Sequence, residues 1–310
     1  VIINMRASEI QFLDHLAPIW RALTSDERGV FALPKNLWAY ARTLSVEPTH
    51  LEPHGLWLVA SWGDLKRARM RGPVVLMEHG AGQTYIGQQS GSYLGAADRD
   101  RVIAVLVPGP LALAHHQATS DIPAYAIGSP KLDTYHLNPT PPTPRTVAIT
   151  HHWDCHVVPE TRSAYQHHYG AYRKLATKVH LVGHAHPRAS HHFKRHCDRD
   201  NIPYAEHLDS VFAVASVLVA DNTSALYEFA SLGRPVVVLN APWYRRDVEH
   251  GLRFWSHVPG VQVDGPGDLR DVVLRTLDEP VLFDRIHDVY AVTNGTATAR
   301  AVAAIREVAG

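Results

Sequence analysis

Four short stretches hold residues that can do chemistry, and each follows an apolar run of the kind that forms a buried strand. The first is Glu78-His79-Gly80-Ala81-Gly82. Histidine exchanges a proton near neutral pH, a neighbouring carboxylate such as Glu78 can tune it, and the flanking glycines let backbone approach a ligand. The second, Gly128-Ser129-Pro130-Lys131-Leu132-Asp133, offers Lys131 as a cation, although a tight turn closing a domain has the same composition. The third, Val182-Gly183-His184-Ala185-His186-Pro187, ends a strand with His184 and His186, which can ligate a metal or donate to a phosphate.

The fourth is Asp221-Asn222-Thr223-Ser224, a run of helix-capping residues between the apolar Val217 to Ala220 and the helix-forming Ala225 to Leu232. Free amides and the helix dipole favour an anion at such a place. Glu228, a turn further on, can accept the hydroxyls of a ribose or act as a solvated, dipole-stabilising carboxylate. Two other positions carry less weight. His151 leads His152-Trp153 out of a strand, and Arg245 follows a Pro-Trp-Tyr loop and can meet a pyrophosphate or an acidic acceptor. Tyr165 to Tyr169, His191, His192 and His196 read as solvated helix faces.

These residues need a scaffold of alternating strands and helices. Strands are expected at Val1 to Asn4, Gly29 to Leu33, Leu56 to Ala60, Pro73 to Met77, Val102 to Val107 and Ala124 to Ile127, with helices between them. After YHLNPTPPTPR (residues 135–145), too proline-rich for a strand or helix interior, the alternation restarts. Strands follow at Thr146 to Thr150, Val179 to Val182, Val217 to Ala220, Val236 to Leu239 and Gly260 to Val263. Helices are expected at Glu160 to Thr177, Ala189 to Asp200, Asp268 to Leu277 and Ala297 to Val308. This is an α/β protein of two Rossmann-like domains, 1–136 and 146–310, joined by a linker at 137–145, with a ligand cleft expected between them.

Composition removes several function classes. Of 310 residues, 45% are apolar and 19% charged, as in a globular chain, and 30 basic against 30 acidic residues advertise neither nucleic acid nor anionic membrane. Cys155 and Cys197 cannot make a disulfide framework, and the charged N-terminal stretch reads as neither leader nor anchor. A cytoplasmic setting is expected. The third glycine of a dinucleotide fingerprint is missing after Gly80 and Gly82, and no Walker-type Gly-Lys-Ser/Thr occurs. Gly-His-x-His also closes the site of two-metal phosphoesterases, but their other ligand motifs are absent or out of order.

Taken in order, the four stations resemble the CDP-glycerol glycerophosphotransferase family of wall teichoic-acid enzymes, within the GT-B class of nucleotide-dependent transferases. His79-Gly80, Gly128 to Asp133, His186-Pro187, and Asp221 to Ser224 with Glu228 and Arg234-Pro235 carry the likeness. Asn222-Thr223 stands where the family has Tyr-Ser. The resemblance implies a GT-B fold and transfer of a glycosyl or glycerol-phosphate group from a nucleotide-diphosphate donor to an acceptor hydroxyl. It implies His79 as general base, His186 (or His184) on the donor phosphates, and Thr223 and Ser224 with helix amides around the pyrophosphate. The acceptor side would draw on Glu78, Gly80, Gly82, Lys131, His151 and Arg245. The acceptor is a sugar, a polymer or a modified nucleobase, and neither a cofactor nor an essential metal is expected. A sugar-nucleotide 2-epimerase and a non-catalytic nucleotide-sugar binding protein are the alternatives.

Overall fold

The computed structural model describes residues 1–67, 71–81, 99–156, 159–245 and 257–310. Contacts divide them into two compact units, one reaching Asn138 and joined by His287–Gly310, the other Pro139–Ile286. The first contains β1 (Ile3–Arg6), α1 (Ile10–Ala22), β2 (Arg28–Ala32), α2 (Trp38–Thr43), β3 (Pro48–Thr49), β4 (Leu56–Val59), α3 (Trp62–Arg67), β5 (Val74–Met77), β6 (Val102–Val107), α4 (Pro110–Thr119), β7 (Ala124–Ala126) and α5 (Asp133–Leu137). The second contains β8 (Thr146–His151), α6 (Tyr165–Ala176), β9 (His180–Ala185), α7 (Ser190–Arg199), α8 (Leu208–Val214), β10 (Val217–Ala220), α9 (Ala225–Ala230), β11 (Val236–Leu239), β12 (Val261–Val263) and α10 (Leu269–Asp278). The chain closes with α11 (Ile286–Val289) and α12 (Ala297–Ala309).

Both sheets are parallel. The first runs β3-β2-β1-β4-β5-β6-β7 and the second β12-β11-β10-β8-β9. In each, chain direction across the sheet reverses once, between β1 and β4 and between β8 and β10. The connections leaving those strands diverge to opposite faces and open a crevice at the strands' carboxyl ends. Alternation along β4 shows how the first sheet is buried. Leu56 and Leu58 face a core shared with α1 and α12, while Trp57 and Val59 face a second core with Leu65 and Ala112. Such two-sided burial explains why these strands read as continuous apolar runs. Gly183 in β9 has a packing reason, since a Cβ there would overlap Cys197 Sγ and crowd the Phe193 ring of α7.

The terminal helix departs from the expected 146–310 domain. α12 packs Ala301, Val302, Ala304 and Ile305 against the first unit's core beside α1. The Gly128-to-Asp133 stretch secures it. Asp133 accepts the amides of Ala297 at 3.0 Å and Thr298 at 2.7 Å, capping the helix with a carboxylate from a distant turn. Gly128 has φ +89°, and a side chain there would meet Val292 and Ala297. In the second unit Arg234 is likewise structural, donating to the carbonyls of Phe212, Ala215 and Thr140. Asp133→Ala is expected to cost about 1–2 kcal/mol by urea unfolding, as for the loss of other helix caps, with Asp133→Ser recovering part of it.

Candidate functional site

The crevice between β8 and β10 gathers one set of the residues singled out from sequence. Register places Ala220 beside Thr150, and His151 beside Ala185, so the exits of β10, β8 and β9 lie side by side. Asp221 sits at the first of these exits and is fully buried. One oxygen accepts the His152 amide at 2.7 Å; the other accepts Ser163 Oγ at 3.0 Å, the Ala164 amide at 2.9 Å and His151 Nδ1–H at 3.3 Å. Burial resists ionisation, but hydrogen bonding and charge from His151 and His152 outweigh it and hold the carboxyl below its usual range. An ionised carboxylate with all its donors drawn from the protein is the wrong sign and orientation for a pyrophosphate. Asp221 is therefore a brace, not a donor ligand. The helix α6 starts at Tyr165 instead of the expected Glu160, with Ala164 as its N-cap and the Ala164 amide and Ser163 hydroxyl both donating to Asp221.

His151 completes this brace. Its Nε2 accepts the Tyr172 hydroxyl at 2.7 Å, and both residues are buried. His184 is also buried, its Nδ1 paired with Thr150 Oγ1 at 2.7 Å across the β8–β9 ladder. Of the Gly-His-Ala-His stretch, His186 is the half-buried one at the strand exit. Its amide donates to the His151 carbonyl at 2.8 Å, and its Nδ1 accepts the Arg188 amide at 3.2 Å. With Nδ1 an acceptor, the neutral ring carries its proton on Nε2, the polarity a phosphate oxygen needs.

Asn222, Thr223 and Ser224 are half-buried beside Asp221. The Asn222 side-chain Nδ2 donates to the Glu160 carbonyl, Thr223 Oγ1 accepts the Ala225 amide at 3.4 Å, and Ser224 Oγ lies 3.5 Å from Glu228 Oε1. Glu228 is buried, so a solvated carboxylate is ruled out. Arg245 is engaged by buried Glu160, its Nε and Nη2 at 2.6 and 2.7 Å from the two carboxylate oxygens and its amide at 2.8 Å. That bidentate pair anchors the loop after β11 and takes the charge expected for a pyrophosphate. Sequence reasoning passed over Arg188, whose guanidinium lies 4.8 Å from the centre of the Trp153 ring. A lone arginine after His-Pro gives no local signal.

The other residues belong to the first unit. Glu78 and His79 are half-buried at the exit of β5, and Gly80 is buried; Gly82 lies outside the described residues. The His79 ring meets the edge of Phe12 at 4.7 Å and His15 at 6.4 Å. Burial first, then Lys131 and His79, hold the His15 imidazole well below its ordinary range. His15 escaped notice because it occupies the apolar stripe of α1. Among the described residues, no group of three or more His, Cys, Asp or Glu side chains is arranged to hold a metal ion, and no helix is long and apolar enough to cross a membrane.

Residues 152–305 match the sequence model of the CDP-Glycerol:Poly(glycerophosphate) glycerophosphotransferase family. Among solved structures, the chain is similar to the wall teichoic acid polymerase TagF at 12% identity and TM-score 0.58, over 99% of this chain and 88% of that one. It is similar to the MnaA–UDP structure from S. aureus at 14% identity and TM-score 0.63, over 98% and 95%. The UDP-GlcNAc 2-epimerase of Methanocaldococcus jannaschii, in complex with UDP-GlcNAc and UDP, aligns at 12% identity and TM-score 0.62, over 99% and 100%. These likenesses show a GT-B-type fold. No curated protein matches the sequence.

Two histidines expected on solvated faces, His168 and His196, are buried. His168 lies on the core side of α6 with Tyr172 and donates Nε2–H to the Asn240 carbonyl at 2.7 Å, while its buried Nδ1 has no hydrogen-bond partner among the described residues. His196 sits between Tyr165 Oη at 2.8 Å and Asp200 at 3.0 Å. Burial lowers His168 from 6.5 to about 4, so the unfolded chain takes up a proton below 6.5 that the folded chain refuses. Stability is full above that pH and falls with acidification, by about 2 kcal/mol between pH 7 and 5 from this group alone. Buried His15 and His196 and half-buried His152 act in the same direction. Urea midpoints are expected to drop between pH 7 and 5, less steeply in His168→Gln; equal slopes would contradict the assignment.

Proposed function

We propose, on the premise that the chain belongs through residues 152–305 to the CDP-glycerol:poly(glycerophosphate) glycerophosphotransferase family and is a glycerophosphotransferase- or glycosyltransferase-like enzyme, that it moves a glycerol-phosphate or glycosyl group from a nucleotide-diphosphate donor to an acceptor hydroxyl. The observation that carries this reading is the β8–β10 crevice, with His186 presenting an N–H donor at its mouth. In such sheets ligands bind where the strand order reverses.

The diphosphate lies along the exits of β8 and β9. His186 Nε2–H and the Arg188 guanidinium meet the charge that builds on the leaving phosphate. Because the rings and amides are held by Asp221, Glu160 and the β8–β9 ladder, they are oriented before the donor arrives, and little reorganisation is left for the reaction. Thr223 and Ser224 supply hydroxyls beside the same crevice. The acceptor hydroxyl gives its proton to His79 as it attacks, and the nucleotide leaves on the opposite side of the transferred group. With positive charge coming from Arg188 and a hydrogen bond from the neutral His186 ring, no essential metal is required.

Nucleotide release from CDP-glycerol and from UDP-GlcNAc tests this. His186→Ala is expected to lower kcat by roughly 10²–10³-fold and His79→Ala by roughly 10²–10⁴-fold, with EDTA leaving the wild type unaffected. Full activity in His79→Ala removes that residue as base. Epimerisation of UDP-GlcNAc with no transfer to any acceptor replaces the transferase reading with the epimerase one.

A further inference from the structure

His152 has a partner pattern opposite to that of His186. Its Nδ1 lies 3.1 Å from the Thr161 carbonyl, an oxygen that can only accept, so Nδ1 carries the proton and Nε2 the lone pair. In His186 the Arg188 amide donates to Nδ1, so the proton is on Nε2. The two rings lie 5.6 Å apart, and Trp153 borders both, at 5.8 and 6.5 Å. One imidazole therefore offers a donor and its neighbour an acceptor, on the exits of adjacent strands. Neither is free to reverse. The His152 backbone is tied to Asp221 at 2.7 Å and its Nδ1 to Thr161, and burial outweighs the Asp221 charge and the hydrogen bonds to backbone at Thr161 and Trp153 to favour the neutral ring.

A phosphate offers only acceptors at neutral pH, so it satisfies His186 and Arg188 but gives nothing to an imidazole lone pair. A hydroxyl beside that phosphate satisfies the lone pair. We propose that His152 reads a hydroxyl of the group that the donor carries beyond its diphosphate, while His186 holds the adjoining phosphate. The ligand class is a nucleoside diphosphate esterified to a polyol or sugar, and His152 is its specificity-determining residue. This rests on the donor assignment above and deepens it, since a donor whose transferred group lacks a hydroxyl next to the phosphate would be discriminated against.

The test is calorimetric titration of full-length protein with CDP, CDP-glycerol, UDP and UDP-GlcNAc. His152→Phe is expected to weaken whichever esterified nucleotide the wild type binds by about tenfold, the size of one lost hydrogen bond to a buried partner, and to leave CDP or UDP unchanged. That unchanged binding also shows that the variant folds. His152→Gln, whose carbonyl can stand near the Nε2 position, is expected to restore most of the loss. His186→Ala is expected to weaken all four probes. Equal weakening of CDP and CDP-glycerol in His152→Phe, or no weakening of either, overturns the role of His152 while leaving the donor site standing. Absence of binding by the wild type to every probe overturns the donor assignment, and this inference with it.

Discussion

A single buried carboxylate organises the second unit. Asp221 leaves β10 where the sheet's order reverses, and instead of facing outward it accepts hydrogen bonds from the exit of β8 and the start of α6. The energetic reason is plain. A desolvated charge without donors costs several kcal/mol, so the chain must supply them, and doing so fixes the described ends of the loop after β8, at His152 and at Ser163 and Ala164. Once that loop is set, the rest follows in sequence: His151 is locked between Asp221 and Tyr172, its carbonyl receives the His186 amide, and His186 takes the Arg188 amide. The polarity of the His152 and His186 rings is thereby decided by backbone groups, before any ligand is present.

The first unit uses a comparable device at its own reversal point. Asp64, also fully buried, follows β4 and accepts the Ser8 amide from the exit of β1 at 3.2 Å and Ser61 Oγ at 3.1 Å. The two carboxylates differ in their donors. Burial raises Asp64, against hydrogen bonds from Ser8 and Ser61 and the charge of Arg6, whereas His151 and His152 keep Asp221 ionised. Ionisation at Asp221 in turn favours a proton on the Nδ1 of His151. A neutral acid there would leave His151 without that bias, and the chain of hydrogen bonds to Tyr172 would lose its direction.

Strand positions were legible in the sequence because both sheets are buried on two faces, so strands appear as apolar runs whose ends mark the chemistry. Val217 to Ala220 and Val236 to Leu239 needed no correction. What local pattern could not carry was the direction of a side chain at those ends. Asp-Asn-Thr-Ser looks like a helix cap, yet Asp221 meets residues 57 to 70 positions earlier. Arg245 looks like a loop cation, yet its partner Glu160 is 85 residues away. The terminal helix has ordinary amphipathic spacing, and nothing within it says that Asp133, 164 residues back, caps it into the first unit. His168 and His196 were misjudged for a related reason: histidine looks polar, but helical spacing puts His168 on the core side of α6 with Tyr172 and His196 on the core side of α7 with Phe193 and Cys197.

The central claim is that a nucleotide diphosphate sits at the exits of β8 and β9 with His186 Nε2 as its donor. A crystal structure of the protein with CDP or UDP bound tests it most directly. The account predicts a phosphate oxygen within hydrogen-bond distance of His186 Nε2, about 2.7–3.2 Å, with Asp221 still facing inward on His152 and Ala164. A diphosphate bound elsewhere, or Asp221 turned out toward it, would contradict the account.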